Sequence, residues 1–212
     1  MTLRPASLRL AMNFPKLTSY GILIGFVIAL LWLVLVATAP LMVPSHTLLD
    51  LSGRVGVHDN DAQFASLSPL PHAIYWIGDG ECHQIAERSF FINGNEMPFC
   101  SRDTGLFIGL VIGFGALLFV RYKINPILAV VGLVPLGIDG GLQLVTSYES
   151  NNPLRLITGI VAGVACAMIL AHFIFALKDD KPRPKPTPAA PEPEKTVPEA
   201  AIRPRSAKNT DN

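Results

Sequence analysis

Four apolar runs of spanning length, separated by short polar turns and one long loop, predict an all-α integral membrane protein with four transmembrane helices. Half of the 212 residues are hydrophobic and only 16% are charged, a composition too apolar for an ordinary water-soluble domain. Basic residues flank the runs in an alternating pattern that four spans satisfy with both termini cytoplasmic. The net charge of +1 supplies no domain-wide basic field to displace counterions from phosphates, so nucleic acid is excluded as a partner and the lipid bilayer is the expected one.

Residues 1–20 carry Arg4, Arg9 and Lys16 without an acid and read as a cytoplasmic segment. The first span, 21–43, is long enough at about 1.5 Å per residue to cross a hydrocarbon core of about 30 Å. A cleaved signal peptide is the competing reading, because Ala37-Thr38-Ala39 imitates an A-x-A cleavage site. Pro40 directly after that site, and the length of the run, favour a retained helix.

An extracytoplasmic loop follows over 44–104. From Pro44 to Leu67 it carries Asp50, Arg54, Asp59 and Asp61 among Ser, Gly and Asn, which predicts an exposed polar stretch. Ser68 to Ile77, SPLPHAIYWI, is too short to span and contains Pro69 and Pro71; its Tyr75 and Trp76 suit a membrane interface. Residues 80–105, GECHQIAERSFFINGNEMPFCSRDTG, then concentrate two of the three cysteines, a histidine and two arginines directly before an apolar helix.

Helices two to four occupy 105–177. The second opens with Gly105, Gly109 and Gly113, a small-residue stripe that lets a neighbouring helix approach its backbone closely. The third runs from Pro126 to about Ser147 with Pro135 inside it, and places Asp139 and Gln143 on one face at i and i+4. After the polar turn Tyr148–Pro153, the fourth begins near Arg155 and sets Thr158, Gly159, Gly163 and Cys166 along one side. Residues 178–212, with the alternation KPRPKPTP, cannot bury enough apolar surface to offset chain entropy and predict a disordered cytoplasmic tail.

This topology gathers Arg102 and Asp103 at the outer mouth of helix two, Asp139 and Gln143 in the outer half of helix three, and Arg155 at the outer mouth of helix four. A carboxylate at the depth of Asp139 costs roughly 2.5 to 3.5 kcal/mol on insertion scales unless it meets a partner, and Arg155 or Arg102 is the expected one. Such a cluster is either the glue of a small bundle or a site open to the outer face. As a site, Arg102 and Arg155 would hold an anionic group such as a lipid phosphate or carboxylate, Asp139 would act as a base or orient an arginine, and His83 would transfer protons. Cys82, His83, Cys100 and Asp103 offer a donor set for a divalent metal such as zinc, although adjacent Cys and His rarely reach one tetrahedral ion. A Cys82–Cys100 disulfide on an oxidising face, or free thiols, are the alternatives. No G-x-S-x-G, P-loop, H-E-x-x-H or G-x-G-x-x-G following a strand occurs, which leaves an enzyme and a non-catalytic accessory or scaffold protein both open. The scaffold reading would use the glycine stripes to bind another membrane protein or a second copy, and a channel would need to oligomerise.

Between about Trp76 and Ala171 the chain carries Cys82-His83-Gln84, Glu87-Arg88-Ser89-Phe90-Phe91, Met97-Pro98-x-Cys100-x-Arg102-x-Thr104-Gly105, Ile138-Asp139-Gly140 with Gln143, and Glu149-Ser150-Asn151-Asn152 before Leu154-Arg155 and Thr158-Gly159. In order and spacing these residues resemble the DUF2085 family of small bacterial and archaeal membrane proteins. The resemblance implies a multi-pass protein of a prokaryotic cell membrane and assigns no activity. Many relatives read C-A-R-C-T-G where this chain has Cys100-Ser101-Arg102-Asp103-Thr104-Gly105, and look like metal binders through C-x-x-C. Asp103 replaces the second thiolate with a harder and weaker zinc ligand.

Overall fold

The structure, a computed structural model, describes residues 20–119 and 125–179. The expectations placed on the basic N-terminal segment, the turn holding Arg121 and Lys123, and the tail from 180 onward lie outside the described residues, while Lys178 and Asp179, expected in the tail, end the last helix. Among the described residues, four helical stretches have the length and apolarity to cross a membrane: Tyr20–Met42, Ser101–Phe119, Pro126–Val145 and Asn152–Leu177.

α1 (Tyr20–Thr38) is apolar on every face, the pattern of a helix surrounded by lipid or protein rather than water. A single 3-10 turn, Ala39–Met42, extends it, with Pro40 at a position where its missing N–H costs nothing.

Residues 44–67 are largely exposed, as a polar loop should be, but their buried Leu48, Leu51 and Phe64 join the residues up to Cys100 in a folded cap with its own core. It contains one turn of helix, α2 (Asp61–Phe64), the longer α3 (Pro69–Glu81), and an antiparallel hairpin of β1 (Ser89–Ile92) and β2 (Asn95–Cys100). The hairpin turns at Asn93-Gly94, both at positive φ (55° and 72°), the pairing a tight two-residue turn demands. Leu48, Leu51, Phe64, Ile74, Tyr75, Met97 and Phe99 bury together against Val36, Ala39 and Val43 at the end of α1. Tyr75 therefore does not sit at an interface: it is fully buried and donates its O–H to the Glu96 carbonyl at 2.5 Å. Trp76 alone of that pair stays half-exposed, stacked on His58 at 3.9 Å. Pro71, Ile74, Tyr75 and Gly78 lie at helical spacing on the buried face of α3.

α4 (Ser101–Phe119) starts directly from β2, so the strand's last residue and the helix's first turn are rigidly joined. The third span is divided into α5 (Pro126–Val131) and α6 (Val134–Val145). Pro135 lacks an N–H and its ring crowds the carbonyl four residues earlier, which ends the helix before Gly132 and restarts it after Leu133. α7 (Asn152–Asp179) is the longest element.

Contacts define the directions of the spans. Gly105 lies against Leu156, Gly109 against Ile160 and Gly163, and Gly113 against Val164 and Ala167, so α4 and α7 run parallel with backbones in contact. The expected glycine stripe thus serves a helix of the same chain. Gly25 meets Phe114 while Trp32 meets Phe107, which makes α1 antiparallel to α4. α6 brings Asp139 and Gln143 to Arg102, hence its C-terminal end lies beside the start of α4. The bundle alternates up and down, and the end of α1, the start of α4, the end of α6 and the start of α7 all meet beneath the cap.

A cysteine-carboxylate group above an arginine cluster

Cys82 closes α3 in extended backbone (φ −133°, ψ 148°), Cys100 ends β2, and Asp103 lies in the first turn of α4, where a negative charge is favoured by the helix dipole. Three elements thereby deliver two sulfurs and a carboxylate oxygen to one place, all within 4.8 Å of one another. The Cys100 Sγ lies 3.4 Å from Asp103 Oδ2, and the Cys100 N–H donates to Cys82 Sγ at 3.1 Å. The two cysteines are free thiols rather than a disulfide. Ligand atoms on one tetrahedral ion with bonds of about 2.0 to 2.3 Å stand about 3.4 to 3.8 Å apart, a spacing the Cys100–Asp103 edge already has.

His83 is exposed and is not among the converging ligand atoms. Its neighbour's extended backbone explains this: successive side chains in such a segment point to opposite sides, so Cys82 faces inward and His83 outward. If the three held an ion, a fourth position would stay open to water or an outside donor.

Hydrogen bonding to Cys100, together with burial, pushes the Cys82 thiol far above its ordinary range. Cys100, on the accepting side of that contact, is held below its own. Deeper in the cap, burial pushes the Glu96 carboxyl up; its Oε2 accepts from the Leu51 N–H at 3.3 Å and its Oε1 has no partner.

Beneath the sulfurs, Arg102 donates from Nη2 to Asp139 Oδ2 at 2.5 Å and to Gln143 Oε1 at 2.9 Å. Of the two arginines expected for Asp139, Arg102 is the ion-pair partner. Arg155 is 2% exposed, makes no ion pair among the described residues, and its Nε and Nη1 are buried without a partner.

Several supporting residues entered the sequence reading only as carriers of the resemblance, with no role assigned. Ser101 donates its hydroxyl to Asn152 Oδ1 at 2.9 Å, and Asn152 donates to the Ser89 carbonyl at 3.3 Å, tying the starts of α4 and α7 to the hairpin. Arg88 pairs with Glu149 at 3.2 Å across the same seam. Fully buried Gln84 donates to the Pro98 carbonyl, which packs where a side chain on Gly78 would stand. Polar residues clustered in predicted turns were the available signal.

Fold and geometry define a helical membrane protein with a two-sulfur, one-carboxylate group where a folded cap meets the bundle. Residues 82–169 match the family described as "Predicted membrane protein (DUF2085)", and the chain belongs to that family. The match starts at Cys82 and ends within α7, so it contains every residue of the site and leaves out α1. The chain is 36% identical over 101 residues to an uncharacterized protein of Methanocaldococcus jannaschii, covering 45% of this chain and 65% of that one. It is 39% identical over 100 residues to an uncharacterized protein of Methanothermobacter thermautotrophicus, covering 44% and 90% respectively. The chain thus spans just under two thirds of the length of the first relative. No solved structure matches.

Proposed function

We propose that this protein is a multi-pass membrane protein that binds a divalent metal such as zinc through Cys82, Cys100 and Asp103 on its extracytoplasmic face. The observation that carries the reading is the convergence of the three ligand atoms within 4.8 Å, from three separate elements. Two thiolates and a carboxylate suit zinc and disfavour magnesium or calcium, which take oxygen ligands. The resident ion would act as a Lewis acid on whatever fills the fourth position.

The chain's own residues give this centre a rigid floor. The Arg102–Asp139 pair locks α4 to α6 at the residue beside Asp103, and Ser101–Asn152 locks α4 to α7. His83, exposed beside Cys82, is then a proton carrier at the rim rather than a ligand. The outward orientation follows from the basic residues Arg4, Arg9, Lys16, Arg121, Lys123 and Lys178 at the opposite ends of the spans. A partner-binding scaffold gains less support, because α7 already covers the glycine stripe of α4.

Cobalt(II) titration of purified, metal-stripped protein tests the reading. A thiolate-to-cobalt charge-transfer band is expected in the wild type and is lost in Cys82→Ser with Cys100→Ser. A wild type without that band overturns the proposal.

A further inference from the structure

Among the described residues, four buried side-chain nitrogens lack a partner, and all four belong to Arg102 (Nε), Gln143 (Nε2) and Arg155 (Nε and Nη1). Such a surplus of donors in one place is not a packing accident, since buried polar groups are nearly always satisfied. The charges point the same way. Arg88, Arg102 and Arg155 lie within electrostatic reach of one another, Glu149 pairs with Arg88 and Asp139 with Arg102, and Arg155 feels the Asp139 charge only at a distance and makes no ion pair of its own among the described residues. Two guanidinium groups and an amide match the several oxygens of a phosphate or phosphate ester, which arginine recognises through directed donors.

The location suits such a ligand. Arg102 is the second residue of α4, Gln143 lies in the last turn of α6, and Arg155 lies in the first turn of α7, all at the cap end of the spans. The ends of spanning helices are where lipid phosphates and the aqueous phase meet a helix bundle.

We propose that Arg155, with Arg102 Nε and Gln143 Nε2, forms a binding site for a phosphate oxyanion, supplied by a lipid headgroup or by free phosphate. The site is distinct from the cysteine-carboxylate group and does not rest on a metal being bound there. It gives the buried Arg155 Nε and Nη1 direct acceptors and joins α4, α6 and α7 through one ligand.

The test uses full-length purified protein treated with EDTA, so that failure of the metal reading leaves the result intact. Thermal unfolding is followed in detergent with inorganic phosphate against chloride of equal ionic strength. It is then repeated in nanodiscs of phosphatidylcholine with and without phosphatidic acid. A ligand that binds only the folded state raises the midpoint with concentration, and Arg155→Met is expected to weaken the response by at least about tenfold. Arg155→Met also replaces an unpaired buried charge with an apolar chain, so without phosphate or phosphatidic acid it should unfold no earlier than the wild type. A response to phosphate assigns the free ion; a response to phosphatidic acid alone assigns the headgroup. No response of the wild type to either, or an equal response from Arg155→Met, overturns the proposal.

Discussion

Replacing Gly109 with alanine adds one methyl group at the tightest seam of the bundle. A Cβ built there would stand 2.2 Å from the Ile160 carbonyl oxygen, 2.8 Å from Gly163 Cα and 2.9 Å from the Val164 nitrogen, all backbone atoms that no rotamer change can move aside. Ordinary contact begins near 3.4 Å, so α4 and α7 must part locally by about 1 Å. A gap of that size forfeits a quarter to a half of each dispersion contact along the seam, and overpacking of this kind costs about 1 to 3 kcal/mol. Alanine's better helix propensity returns up to about 1 kcal/mol, leaving a net destabilisation of about 1 to 2 kcal/mol. Gly137→Ala is the control, because nothing lies within 4 Å of its Cβ position; it should be neutral or slightly stabilising. Unfolding of both variants in detergent, followed by circular dichroism, gives the comparison. A Gly109→Ala protein as stable as Gly137→Ala would refute the backbone-contact account of this helix pair.

Three other outcomes are expected. Asp139→Leu strands Arg102 and should cost about 2 to 3 kcal/mol, at the low end for a broken buried pair because Arg102 keeps 22% of its side chain exposed; adding Arg102→Met should recover most of the loss, as read by the same unfolding assay. Glu96 is harder to ionise in the fold than in the unfolded chain, so its stabilising contribution is complete below the usual carboxylate pKa of 4.5 and is lost as pH rises through the raised folded value. Glu96→Gln should remove that decline, and its advantage in unfolding midpoint over the wild type should grow from pH 4 to pH 8. Asp103→Cys places a third thiolate at the site and should tighten zinc binding by roughly tenfold or more in a chelator competition.

Spans and their order were legible because membrane helices announce themselves through long apolar runs, and the Asp139 partner was narrowed to two arginines by topology alone. The cap was not legible as a folded unit. Its core residues Leu48, Leu51 and Phe64 are spread singly among Asp, Ser and Gly, and only tertiary contact with the end of α1 buries them together. The interfacial reading of Tyr75 failed for the same reason, since a Tyr with a buried backbone acceptor and a Tyr at a headgroup have identical local sequence signals. Pro135 marked a break but not its consequence, two helices within one span. At the site, spacing made Asp103 a candidate beside Cys100, whereas the inward and outward facing of Cys82 and His83 depended on a backbone conformation that only the fold reveals.

The most direct test of the metal centre is elemental analysis of detergent-purified protein, wild type against Cys82→Ser, normalised to chain concentration. About one zinc per chain in the wild type, with its loss in the variant, is the expected result for a single closed set of protein ligands. A wild type without stoichiometric metal after expression in zinc-replete medium, or a Cys82→Ser protein that retains it in full, would contradict the account.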